Sequence, residues 1–363
     1  MNAWFNAVKN GEFELVKELI HAKADVTAKD ETYGRSALEW AVLYRKDACV
    51  HVLIDAKADI DARFSEGRTA LMEAILNENI ACVQLLIDAR ADLDADDDYS
   101  LTALMHAAGD GHLETAKMLI DAKANLNAKD IAGTTCLMWA VENGHTASVQ
   151  LLIDAEADIQ LRNNYQETAL MHASRNGLTA CVELLIAAQA DLEAKDSISG
   201  TNALIRAAAK GHKTCVQALV DAKAQLHAKD NHGETALMRA AANDHTACVQ
   251  LLLDHKADIA VKDEKGMTAL TWTARNGHGA SMQLLIDLNA DVDAKSITGE
   301  TALMWAAVNG YIQCAKILIE AKADVEATDN QGVNALMKAA ANGHRACMQI
   351  LLKLPVAHFE TIN

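Results

Sequence analysis

The chain is poor in residues that interrupt or stiffen an ordinary fold: one proline in 363 residues, and only five Trp, five Tyr and four Phe. A lone proline leaves helices free to run through almost all of the sequence, because proline is the residue that breaks them. An aromatic content of 4% beside 51% apolar residues argues against a core of large rings and for small side chains between closely spaced helices. Positive charge is also short. Thirty-three Lys and Arg face 50 Asp and Glu, a net charge of −17, so nucleic acid is not expected as a partner, because a phosphate backbone needs a basic footprint. No apolar run approaches the ~20 residues of a membrane span, and direct membrane insertion is not expected. The opening Met-Asn-Ala-Trp-Phe-Asn-Ala-Val-Lys-Asn-Gly-Glu reads neither as a signal peptide nor as a basic transit sequence. Phosphate loops, dinucleotide fingerprints, HExxH and GxSxG are all missing, so neither an enzyme nor a cofactor is expected.

What the sequence has in abundance is repetition. Its 363 residues are eleven times 33. The residue before a recurrent Ala-Leu pair is Asn2, Ser36, Thr69, Thr102, Thr135, Thr168, Asn202, Thr235, Thr268, Thr301 and Asn334. The intervals are 33 residues, except for two of 34 that begin at Asn2 and Thr168. Every marker is Ser, Thr or Asn, the chemistry that accepts an orphan amide in the first turn of a helix. The spacing therefore predicts eleven units, at about 1–34, 35–67, 68–100, 101–133, 134–166, 167–200, 201–233, 234–266, 267–299, 300–332 and 333–363, in a single domain over 1–363.

Each unit reads as two short helices. In the fifth, Leu137, Ala140 and Val141 share one face at ~100° per residue, and Gly144 suits a left-handed helix end. Val149, Leu152 and Ile153 then form the apolar stripe of a second helix. One such unit has too little apolar surface to fold alone and must bury it against its neighbours.

These units resemble ankyrin repeats over essentially the whole chain. Thr-Ala-Leu-Met recurs at 69–72, 102–105, 168–171, 235–238 and 301–304, and Asn-Gly-His at 143–145, 276–278 and 342–344. The resemblance implies an all-α fold, an ankyrin-repeat α-solenoid of stacked helix pairs with β-hairpin fingers between them. Three departures matter. The family's proline inside the first helix is Ala or Cys here. Its following His is mostly Met: Met72, Met105, Met138, Met171, Met238, Met304 and Met337. The glycine that usually ends the second helix is Lys57, Arg90, Lys123, Glu156, Lys223, Lys256 or Lys322. If the backbone there is still left-handed, each costs about 1–2 kcal/mol.

Seven of the eight cysteines (Cys49, Cys82, Cys181, Cys215, Cys248, Cys314, Cys347) share one repeat position near the start of the second helix. With no CxxC spacing and adjacent layers too far apart for a disulfide, they read as small buried residues. Reduced thiols in this number point to the cytoplasm, with the nucleus left open. His112, His145, His212, His245, His278 and His344 recur after the first helix. No third ligand recurs beside them, so no metal is expected. The run Asp92–Asp98 lacks the turn glycine and terminal Glu of a calcium loop and reads as an acidic finger.

Aromatic placement points to function. Trp40, Trp139, Trp272 and Trp305 each follow the recurrent Leu by two residues. With Leu137 at zero, Trp139 lies at ~200° on the helix, away from Ala140 and Val141. The resemblance assigns that face to a concave groove. A tryptophan there can be either a packing wedge between layers or a partner-facing anchor; as a set, the four point to a groove. Tyr33, Phe64, Tyr99 and Tyr165 fall in the fingers, and Tyr44 sits one turn after Trp40.

Charge divides along the chain. Residues 1–166 hold 15 Lys and Arg against 28 Asp and Glu, whereas residues 167–363 hold 18 against 22. Groove positions are acidic first (Glu73, Asp110, Glu142) and basic later (Arg175, Arg206, Lys210, Arg239, Arg275, Lys338). A separate ladder of Lys29, Arg63, Lys129, Arg162, Lys195, Lys229, Lys262 and Lys295 precedes the fingers and reads most simply as pairing with adjacent Asp, such as Lys129 with Asp130.

The expected function is a non-catalytic scaffold that binds protein partners in its groove, a basic segment in the first half and an acidic one in the second. The alternative is a rigid architectural subunit of a cytoskeletal or membrane-associated assembly, held through its ends. The last unit reads like an internal one, and only the tail after Pro355 stands to cover it, so end-to-end self-association or a larger assembly is also an expectation.

Overall fold

The computed structural model describes residues 2–352. The local rule is clearest around Thr135, which is extended (φ −93°, ψ 166°) and accepts the Met138 amide on its side chain at 3.4 Å. That satisfies an orphan donor and starts the helix Cys136–Glu142. Gly144, at φ 76°, turns the chain into the second helix, Thr146–Asp154. Leu137, Met138, Ala140, Val141, Val149 and Leu152 are buried, as their spacing predicts, while Ile153 is half-buried.

The described residues form 22 α-helices of seven to nine residues and one 3-10 turn, Ser65–Gly67. Isolated helices of this length are unstable in water, so packing must hold them. Within each unit of the fold, first helices lie against first helices of the neighbouring pair and second against second. The chain separates into two compact units, Met1–His172 with Ala187–Ala190, and Ala173–Ile186 with Asp191–Asn363. The division falls inside the sixth helix pair. The capping residue Asn2 opens the first helix, Asn2–Asn10, and its side chain lies outside the described set, as do Pro355 and the tail over 356–363.

The second helices end in a left-handed residue although glycine is replaced. Lys23, Lys57, Arg90, Lys123, Glu156, Gln189, Lys223, Lys256, Asn289 and Lys322 all have φ between 63° and 73°. At Lys123 the reason is visible: Lys123 N donates to Ile120 O and Ala124 N to Leu119 O, both at 3.0 Å, which closes the helix end. The methionines that replace histidine are buried from Met72 to Met304. Met105 Sδ even accepts the Thr102 amide at 3.5 Å.

The fingers contain less β-structure than a hairpin implies. Among the described residues there are two isolated bridges, Lys29 with Ser36 and Asp96 with Thr102. The finger before Thr135 is a turn with two backbone bonds, Asp130 N to Thr134 O at 3.0 Å and Gly133 N to Asp130 O at 2.9 Å. The Asp130 carboxylate replaces the rest of the ladder: its Oδ1 accepts the amides of Ala132 at 2.9 Å and Thr134 at 2.7 Å.

Candidate partner-binding face

Seven of the first helices project a side chain, four residues after the capping residue, onto an aspartate of the preceding finger. Trp40, Trp139 and Trp272 donate their indole N–H to Asp30, Asp130 and Asp263 at 2.7, 3.0 and 3.0 Å. His106 meets Asp97 at 2.9 Å, and Arg206 meets Asp196 at 3.1 Å. Arg239 holds Asp230 at 2.6 Å and Glu234 at 2.8 Å. Lys338 lies 2.9 Å from Asp329 and 2.8 Å from Glu300. Phe64 takes the place of the finger acid in one repeat and is half-buried; opposite it, Glu73 turns instead to Arg68 at 3.4 Å.

Electrostatics follow these contacts. The hydrogen bond from Lys338 holds the Asp329 carboxyl down at about 2. Burial acts to raise Asp196, but hydrogen bonds from Thr201, Ser199 and Arg206 outweigh it and pull the carboxyl well below the usual range. At Glu234 burial prevails over Arg239 and pushes the carboxyl up. Arg206, Arg239 and Lys338 are thus occupied by the chain's own carboxylates, and the basic strip read from the sequence is largely neutralised where it stands.

Two groups of expected site residues come together. Trp40 is only 4% exposed. Lys9 Nζ lies 3.6 Å from its ring centre, and Tyr33 and Tyr44 pack against it at 5.7 and 5.5 Å. The surface there belongs to the two exposed tyrosines. In the second unit, Arg275 Cζ lies 5.0 Å from the ring centres of both Trp272 and Trp305, at a distance that gives cation–π attraction. These residues adjoin a cavity of 360 Å³ lined by Lys265, Met267, Arg275, Ile297, Glu300 and Trp305. The Trp305 indole nitrogen is buried without a hydrogen-bond partner. Arg175 is half-buried, and its carbonyl accepts from His212 Nε2 at 3.0 Å.

Tyr99 and Tyr165 are exposed in their fingers. The sequence reading missed their aliphatic counterparts Ile131, Ile198 and Ile297, which are 72%, 70% and 68% exposed. The signal was present: each follows the acidic or serine residue of its finger by one or two positions, where a polar turn has no need of an isoleucine. The tips are in register within a unit, since Ile131 N donates to Tyr99 O at 3.2 Å and Ile297 N to Lys265 O at 2.9 Å.

The lysine ladder is not local pairing. Lys129 Nζ reaches Arg162 O at 2.8 Å, and Lys229 and Lys262 reach the carbonyls of Lys262 and Lys295 at 2.9 Å. Adjacent aspartates such as Asp130 are already engaged with loop amides and the indole, and Lys129, Lys195, Lys229, Lys262 and Lys295 instead tie their repeats to the next. The histidines do the same at the turns between first and second helices. His245, His278 and His344 bond to Ala209 O, Ala242 O and Val308 O at 3.1, 3.0 and 2.8 Å. All eight cysteines are buried, and burial pushes up the thiols of Cys49, Cys215, Cys248, Cys314 and Cys347, and those of Cys82 and Cys136 to about 12. Among the described residues no three His, Cys, Asp or Glu are grouped to hold a metal, and no helix is long and apolar enough to cross a membrane. Met337, the counterpart of buried Met304, is 55% exposed.

A family model described as "Ankyrin repeats (3 copies)" matches residues 1–64, 61–130, 104–196, 170–263, 204–296 and 270–361. No individual curated protein matches the sequence.

Proposed function

The chain belongs to the ankyrin-repeat family, whose arrays generally serve as protein-interaction modules, and on that premise we propose that it is a non-catalytic scaffold whose partners lie across the first helices and finger tips. One observation carries this reading: large apolar side chains recur at the tips of polar turns, at Tyr99, Ile131 and Tyr165 in the first unit and Ile198 and Ile297 in the second. Exposed aromatic and aliphatic groups in register offer the apolar centre of an interface. Trp139, Trp272 and Trp305, half-exposed behind them, supply ring faces although their edges are turned inward. In the first unit Tyr33 and Tyr44 carry the contact that Trp40 cannot make directly. The acidic balance of residues 1–166 favours a basic segment there through long-range attraction.

The test is crosslinking and pull-down from native extract with Tyr99→Ser/Ile131→Ser, paired changes at exposed positions that leave the core intact. Loss of specific capture supports this face. Retained capture overturns it, and if capture is then lost in Met337→Glu the partner is held at the end of the array.

A further inference from the structure

Ten fingers precede a first helix, and in seven the residue above that helix is an aspartate: Asp30, Asp97, Asp130, Asp196, Asp230, Asp263 and Asp329. The aspartate has two duties, one per oxygen. Asp263 shows both. Its Oδ1 accepts the amides of Lys265 and Met267, each at 2.8 Å, and its Oδ2 accepts the indole of Trp272 at 3.0 Å. One repeat further on the residue is Ser296, with a single oxygen. That oxygen accepts the Glu300 amide at 3.1 Å and bonds with Thr298 Oγ1 at 2.8 Å. The first duty is met and the second is not. Trp305 is therefore left with a buried indole N–H and no acceptor, a condition that costs about 1–3 kcal/mol and that folded chains rarely tolerate without a reason.

A cation stands beside the vacancy. The Arg275 guanidinium, between Trp272 and Trp305, has no carboxylate within ion-pairing distance among the described residues, and its nearest polar contact is Met267 Sδ at 3.9 Å. Two carboxylates line the same 360 Å³ cavity. Glu300 is held by Lys338 at 2.8 Å and Thr298 at 3.0 Å. Glu264 is exposed, so solvent and salt screen its charge. Ile297 supplies an exposed apolar wall.

We propose that this cavity receives an aspartate or glutamate side chain from an extended segment of a protein partner, with one carboxylate oxygen on Arg275 and the other on the indole N–H of Trp305. The partner's carboxylate replaces the oxygen that Ser296 lacks. The indole nitrogen is closed off from water, so the incoming oxygen reaches it with a small outward shift of the side chains above it. A planar carboxylate suits one guanidinium edge and one N–H better than a bulkier anion. Among the basic positions Arg206, Arg239, Arg275 and Lys338, Arg275 is the one not already engaged by a carboxylate of the chain, which leaves its guanidinium open to a partner's carboxylate. This inference rests on the interaction-face reading and names the chemistry of one part of it.

The test uses the full chain with ¹⁵N-labelled tryptophan, titrated with N-acetyl-glutamate N-methylamide and with its glutamine counterpart. The Trp305 indole signal is identified by its loss in Trp305→Phe. The expected result is a saturable shift of that signal with the glutamate probe, at least fivefold weaker with glutamine. Ser296→Asp is expected to move the signal without probe and abolish the response, because Asp263 and Trp272 already show how such an aspartate is accommodated. Arg275→Gln is expected to weaken the response at least fivefold. A Trp305 signal that moves with neither probe, or equally with both, overturns the proposal. So does an unaltered response in Ser296→Asp. If Ser296→Asp disturbs the other indole signals, Arg275→Gln decides. A negative titration alongside capture that still depends on the finger tips removes only the carboxylate site, whereas a positive titration alongside tip-independent capture removes only the wider face.

Discussion

At the end of the helix Leu113–Asp121, Lys123 is held at φ 73° because the two backbone bonds that close the helix require it. A side chain in that conformation is strained, and glycine is not. Lys123→Gly is therefore expected to stabilise the chain by about 1 kcal/mol, read as a higher midpoint in urea; an unchanged or lower midpoint would mean that the Lys123 side chain contributes more than its backbone costs. The tryptophans permit a sharper comparison. Trp139→Phe leaves Asp130 Oδ2 without its donor and is expected to cost roughly 1–3 kcal/mol. Trp305→Phe removes an N–H that bonds to nothing and is expected to cost less than about 1 kcal/mol. Equal losses would contradict the difference between Asp263 and Ser296 drawn from the structure. The sequence placed Trp139 correctly away from Ala140 and Val141, because helix geometry alone decides that. It could not show that the ring edge is bound to Asp130, since a wheel drawn on one helix contains nothing of the finger folded above it.

Among elements, the helices were legible because each carries its own start signal and apolar spacing, as at Thr135, Leu137 and Val141. The contacts between repeats were less so. Lys129 and Asp130 are neighbours in the sequence, and pairing them is the obvious reading, but both Asp130 oxygens are engaged by loop amides and the indole while Lys129 reaches Arg162 O. The ladder also has a distinctive energetic signature. The acceptors of Lys129, Lys195, Lys229, Lys262 and Lys295 are neutral carbonyls, whereas Arg63 also pairs with the Asp96 carboxylate, so replacing Lys229 by Met is expected to cost less than about 1 kcal/mol, and that cost should change little between low and high salt. A loss that vanishes at high salt would point instead to an ion pair. The glycine at the turn between helices is less forgiving. A Cβ on Gly211, at φ 76°, would stand 2.5 Å from His245 Nδ1, so Gly211→Ala would strain the backbone and push away the histidine that ties one repeat to the next.

For the molecule as a whole, stability in such an array is a sum over repeats and the faces between neighbours. Leu270 is 1% exposed, and Leu270→Ala is expected to cost about 2–5 kcal/mol. The loss should stay local. Amide exchange is expected to quicken most in the flanking pairs, Ala236–Ala242 with Thr246–Asp254 and Ala302–Asn309 with Ile312–Glu320; uniform quickening over residues 2–352 would show one cooperative unit instead. The cysteine column bears on the same question from another side. Seven layers each hold one thiol at the same place, shielded from solvent. A small electrophile can modify such a thiol only in the moments when its layer comes apart. Each of these layers thus keeps its own chemical record of opening, and the labelling rate at Cys49, Cys82 and onward to Cys347 would give a profile of which layer yields first.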